Sequence, residues 1–134
     1  KYSQVGSLKN ISQAYAQSLS KVTGATVCVA DRDEIIAAAG KNHKNYIGKA
    51  LSKELENIMD KRKSALYSKK DDTLIPVVKD DKADCGAQAI AVIVHDGDSA
   101  GAVILCTFDE KADKSEIAEK LVGAAAEFLA DQLG

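Results

Sequence analysis

Leu8, Ile11, Tyr15, Leu19 and Val22 recur at steps of three and four, which draws one apolar stripe along a helix that Gly24 then ends. The runs 25–30 and 35–39 are almost continuously apolar and flank the polar Asp31-Arg32-Asp33, so they predict a hairpin of two strands covered on both faces. The stretch 40–48 is polar and loop-like. Ser52 is then placed to cap a short amphipathic helix whose inner face carries Leu55, Ile58, Met59 and Arg62. Short strands are expected over 65–67 and 73–78, with Pro76 making the second an edge strand or a bulged one. The apolar runs 89–94 and 100–108 flank Asp96-Gly97, a strong signal for a two-residue hairpin, and predict the central strands. Asp113 and Glu116, at capping-box spacing, open a closing helix through Ile117, Leu121, Val122, Ala125, Phe128, Leu129 and Leu133. This order predicts an α+β domain: a central antiparallel sheet with the terminal helices on one face and the short helix plus loops on the other.

Composition narrows the picture only a little. The chain has 134 residues, 46% of them apolar, which suffices for a single domain spanning 1–134. A formal net charge of −2 points to no polyanionic partner. No apolar run approaches the length needed to cross a bilayer, so no membrane association is expected. Cys28, Cys85 and Cys106 are far apart in sequence, with neither a zinc-type nor a redox-dithiol spacing, and this usage fits a reducing cytoplasm. Cys28 and Cys106 lie within apolar strand runs and are expected to be small buried hydrophobes, whereas Cys85 lies in a polar loop and is expected to be accessible.

Few constellations suggest chemistry. His43 and His95 are the only histidines and neither has further ligands spaced nearby, so no metal and no cofactor are expected. There is no Ser/His/Asp arrangement and no phosphate-cradling glycine loop, so no catalytic residue is assigned. Lys61, Arg62, Lys63, Lys69 and Lys70 form the densest basic cluster, but Asp71 and Asp72 follow at once and no aromatic platform is interleaved; a solvated helix end is the expectation.

Cys28-Val29-Ala30-Asp31-Arg32-Asp33, with Ile35-Ile36-Ala37 and Gly40 after it, resembles the C-terminal GAF domain of the stage V sporulation protein T family, AbrB-like bacterial transcription regulators. The likeness continues through Asn45-Tyr46-Ile47, Met59-Asp60-Lys61-Arg62, Gly101-Ala102-Val103-Ile104 and 124–130, and is poorest over 68–88. It implies a GAF-like (PAS/profilin-like) fold and a cytoplasmic regulatory domain that controls genes of endospore formation. It also implies an N-terminal DNA-binding domain outside this chain, with Lys1-Tyr2-Ser3 at the junction and DNA contacted only through that absent domain. The class binds diverse ligands, so the fold names none.

Three functional readings follow from the resemblance. In the first, a small-molecule effector enters a pocket against the Ser52 helix, lined by Tyr46, Met59, Ile75, Val77 and Val92 with His43 nearby. In the second, the domain is a pure assembly module with a packed interior. In the third, it acts like the GAF proteins that reduce free methionine sulfoxide through pocket cysteines, with Cys85 as the thiol, although no second cysteine lies near it in sequence. Self-association is expected through the terminal helices, using Leu8, Ile11, Tyr15, Leu19, Ala125, Phe128, Leu129 and Leu133, with the alternative that these residues simply cover the domain's own sheet.

Overall fold

In the computed structural model, which describes residues 4–133 with side chains from Leu8 onward, one antiparallel sheet organises the chain. The elements run α1 (Gln4–Thr23), β1 (Thr26–Ala30), β2 (Ile35–Ala39), α2 (Lys53–Lys61), β3 (Ala65–Ser68), β4 (Ala87–His95), β5 (Asp98–Thr107) and α3 (Glu116–Leu133). The five strands lie in the order β2-β1-β5-β4-β3, which puts the longest strand in the middle. The Lys1-Tyr2-Ser3 junction lies outside the described residues.

Strand periodicity divides the core in two. Val27 and Val29 of β1, Val103 and Leu105 of β5, and Ala89, Ala91 and Ile93 of β4 face α1 and α3. The intervening Cys28, Ala30, Ala102, Ile104, Cys106 and Ile90 face α2 and the loops. Every residue of β1 and β2 is buried, in keeping with their unbroken apolar runs. Gly101 is required by a close approach, because a Cβ there would run into the Ala30 carbonyl oxygen where β1 and β5 pair.

The turns follow their chemistry. Asp96 and Gly97 both adopt left-handed φ, of 51° and 81°, the two-residue turn whose twist suits the β4–β5 hairpin. In the β1–β2 turn, Asp31 Oδ1 accepts hydrogen bonds from the Asp33 and Glu34 amides at 2.8 Å each.

Four local expectations are corrected. Residues 73–78 form no strand beyond an isolated bridge from Val78 to Leu51; Gln88 of β4 holds the segment instead, its amide pairing with both backbone groups of Ile75. Ser115, not Asp113, caps α3 by accepting from Ala118 N at 3.1 Å, while Asp113 takes the neighbouring Lys114 amide and faces Lys70. Arg62 is the left-handed residue ending α2, exposed and 3.9 Å from Asp98, instead of an inner-face residue. Val22 ends its stripe 82% exposed, off the packed face of α1.

Candidate functional site

The N-terminus of α2 knits the short-helix face together. Ser52 Oγ accepts from Leu55 N at 3.0 Å, the expected cap, and donates to the Pro76 carbonyl at 2.5 Å. The Ser52 amide reaches Val77 O at 3.1 Å and Lys79 N reaches Ala50 O at 3.1 Å, so 76–79 is laced across the entrance to α2. Leu55, Ile58 and Met59 of α2 then share one apolar cluster with Tyr46 and Val77, all buried, and with the half-buried Ile75 and Val92. The side chains expected to line a pocket share one apolar cluster beneath α2 and fill that space with one another.

Open volume lies beside them. A cleft of about 470 Å³ is bounded by Asn42, Asn45, Tyr46 and Lys49 on one wall and by Val78, Lys79, Asp80, Asp81, Lys82 and Asp84 on the other. Of the predicted pocket residues only Tyr46 borders it; Val92 borders a separate groove beside Arg62 and α3. His43 starts a single 3₁₀ turn, His43–Asn45, and its Nδ1 lies 3.0 Å from the Gly40 carbonyl. The cleft is polar and carries equal numbers of lysines and aspartates. Asp81 shapes it: its carboxylate accepts from Val77 N at 2.9 Å and Ala83 N at 3.2 Å, and Asp80 and Ala83 adopt left-handed φ on either side. Sequence reasoning named no residue of this Lys- and Asp-rich loop among the pocket residues. The available signal was Asp81 preceding Ala83 by two, the spacing of an aspartate that closes its own turn.

The thiols are arranged differently from expectation. Cys85 is 3% exposed, not an accessible loop thiol, because Gly86 N donates to Thr107 O at 2.7 Å and draws the chain onto the end of β5. Its thiol hydrogen-bonds that of Cys106, and Cys28 lies on the same face one register step along β1, where it pairs with Ile104. The hydrogen bond from Cys106 holds Cys85 below the usual thiol range, while that same bond and then burial push Cys106 well above it. Burial, and secondarily the charge of Asp81, pushes Cys28 up to about 12. Tyr46 is raised by burial first and then by the surrounding thiols and Asp81, so its hydroxyl stays protonated. Sequence separation hid this cluster, although Cys28 and Cys106 share strand parity. Among the described residues no group of His, Cys, Asp and Glu is arranged to hold a metal ion.

On the opposite face, α1 and α3 lie side by side over the sheet. Leu19, Ala125 and Leu129 are buried against the protein's own strands, and Leu8, Ile11, Tyr15 and Leu133 are partly buried against that same core. Outward lie Phe128, 41% exposed, and Ile117, 73% exposed, with Ala124 between them on α3. The Tyr15 and Phe128 rings meet at 5.3 Å with a 37° tilt. Together with Ile11, Ala14 and Ser18 they line an apolar groove of about 350 Å³. The basic residues of 61–70 are exposed, and Lys114 bridges to Asp71 at 2.6 Å, tying the β3–β4 connection to the start of α3. No helix among the described residues is long and apolar enough to cross a membrane.

A five-stranded antiparallel sheet of this order, with paired terminal helices on one face and a short helix and loops on the other, defines a GAF domain. Solved structures agree. The type II free methionine-R-sulfoxide reductase of Thermoplasma acidophilum superposes with a TM-score of 0.74 at 14% identity, covering 98% of this chain and 95% of that one. The GAF domain of an Acinetobacter phosphoenolpyruvate-protein phosphotransferase gives 0.72 at 10% identity, covering 94% and 81%. At such identities the likeness is one of fold. Residues 7–134 match the family described as stage V sporulation protein T C-terminal, transcription factor. The chain is also 35% identical over 133 residues to stage V sporulation protein T of Bacillus subtilis, covering 99% of this chain and 72% of that protein. The chain belongs to the stage V sporulation protein T family and is a regulatory domain with the GAF fold.

Proposed function

We propose that this domain joins subunits of a cytoplasmic sporulation regulator through the outer faces of α1 and α3. The observation that carries the proposal is the outward apolar surface of Val22, Ile117 and Phe128, together with the groove that the half-buried Ile11 and Tyr15 line beside Phe128. Leaving such surface in water costs roughly 25 cal/mol per Å², and a second copy of the same helix pair is the simplest symmetric cover. DNA is contacted through a separate N-terminal domain of the parent regulator, whose placement this pairing sets, so the chain alone binds no operator DNA. We assign it no catalysis. Sedimentation velocity over a concentration series tests the reading: a reversible dimer at tens of micromolar supports it, and a strict monomer overturns it.

A second role has its own support. The polar cleft between 42–49 and 78–84 has the volume of a small-molecule site and is lined by both cationic and anionic groups. An effector bound there contacts Tyr46 and the loop laced to α2, while Met59, Ile75, Val77 and Val92 belong to the apolar cluster that Tyr46 shares. Native mass spectrometry of gently purified protein, followed by thermal shifts with metabolites, is the test. A copurifying ligand whose stabilisation disappears in Lys49→Ala supports sensing. A chain that neither carries nor responds to any small molecule returns the domain to assembly alone, and turnover of free methionine sulfoxide with a reductant replaces both readings with an enzyme.

A further inference from the structure

We infer that Cys85 and Cys106 form an oxidisable dithiol, a site at which a small hydroperoxide converts the pair into an intramolecular disulfide. Three observations place the two thiols for it. Cys106 stands on the central strand β5 facing the α2 side of the sheet, within the same buried cluster as Cys85. Gly86 is held between β5 and the end of β3, its amide donating to Thr107 O at 2.7 Å and its carbonyl accepting from Lys69 N at 2.8 Å, which fixes Cys85 at the end of β5. Each thiol is the other's hydrogen-bonding neighbour. Cys28, on the same face of β1, makes no such bond and is left out of the pair.

The division of labour follows from that hydrogen bond. Cys106 donates and Cys85 accepts, so Cys85 is the thiol that ionises and attacks. Its sulfur takes the distal oxygen of the hydroperoxide: an S–O bond forms, the O–O bond breaks, and the alcohol or water leaves with the proton that Cys85 gave up. The Cys106 sulfur then attacks Cys85; the S–S bond forms, the S–O bond breaks, and hydroxide leaves as water with the Cys106 proton. Two thiols are oxidised and one peroxide is reduced, with no further reagent. Access is through the cleft wall, since Asp84, the chain neighbour of Cys85, lines the cleft. At 3% exposure Cys85 excludes bulky thiol reagents, and a peroxide-sized oxidant is what the fold admits. The disulfide ties the 79–85 wall to β5, which links oxidation to cleft shape.

The test is to expose the folded chain to hydrogen peroxide, alkylate remaining thiols in denaturant, and map the products by intact and peptide mass spectrometry, with the urea-unfolded chain oxidised in parallel. The expected result is loss of two hydrogen atoms per chain, one alkylated cysteine, and a peptide cross-linked through Cys85 and Cys106 that a dithiol reductant releases. Cys28→Ser gives the same cross-link. The inference is overturned when the folded chain keeps all three thiols alkylatable at peroxide that oxidises the unfolded chain, or when the cross-link includes Cys28 or joins two chains.

Discussion

Gln88 does the work of a missing strand. Its Nε2 donates to Ile75 O at 2.7 Å and its Oε1 accepts from Ile75 N at 2.9 Å, so one buried side chain satisfies both backbone groups of a residue that has no ladder partner. Gln13 makes the matching contact at the other edge of the sheet: it donates to Ala38 O and accepts from Ala38 N at 3.1 Å each, which closes the outer edge of β2 against pairing with another chain. Replacing Gln88 with Leu keeps the volume but strands two half-buried polar groups, a loss of about 1–3 kcal/mol in urea unfolding. Gln88→Glu retains the acceptor but sets a buried carboxylate against the Ile75 carbonyl with no cation beside it, so a loss at least as large is expected at neutral pH. Equal stability of wild type and Gln88→Leu would show that water takes over both bonds and that Gln88 is dispensable.

Among the elements, α2 is the one whose attachment governs the cleft. Ser52→Ala removes both the cap to Leu55 N and the bond to Pro76 O, so about 1–2 kcal/mol of stability should go with it. The more telling readout is local: amide exchange should quicken at 76–83 together with 53–56, and quickening at the helix alone would mean that the loop does not depend on α2. Ser52 was legible in the sequence, as were Asp96-Gly97 and the doubly covered β1–β2 hairpin, because each signal is local and its chemistry is completed within a few residues. Two of the errors arose where the partner is remote, and one where two nearby residues compete for the same cap. Thr73 to Val78 reads as a strand from Ile75 and Val77, yet its hydrogen bonds go to a glutamine on β4. Asp113 has capping spacing, but Ser115 stands nearer the first helical turn and takes the role. Cys85 looks solvent-facing from its Lys- and Asp-rich neighbours, and only the register of residues 86 and 107 turns it inward beside Cys106.

For the whole molecule, the decisive question is which side of α3 meets a partner. Periodicity along the terminal helices marks Phe128 and Leu129 alike as apolar, and only the packing separates them. Leu129 is fully buried among Val122, Ala125 and the sheet, whereas Phe128 points outward beside Tyr15 over the groove formed with Ile11, Ala14 and Ser18. A carboxylate at the two positions therefore has opposite consequences. Leu129→Asp buries a charge with no cation to meet it, costs about 4 kcal/mol or more, and should leave the chain largely unfolded by circular dichroism. Phe128→Asp leaves the sheet core intact and gives up mainly the Tyr15 ring contact, worth about 0.5–1.5 kcal/mol. It should fold with a slightly lower Tm yet weaken self-association at least tenfold in sedimentation, because two like charges would face each other across a symmetric contact. Folded Phe128→Asp that dimerises as tightly as wild type would move the interface away from this groove and remove the main support for α1–α3 assembly.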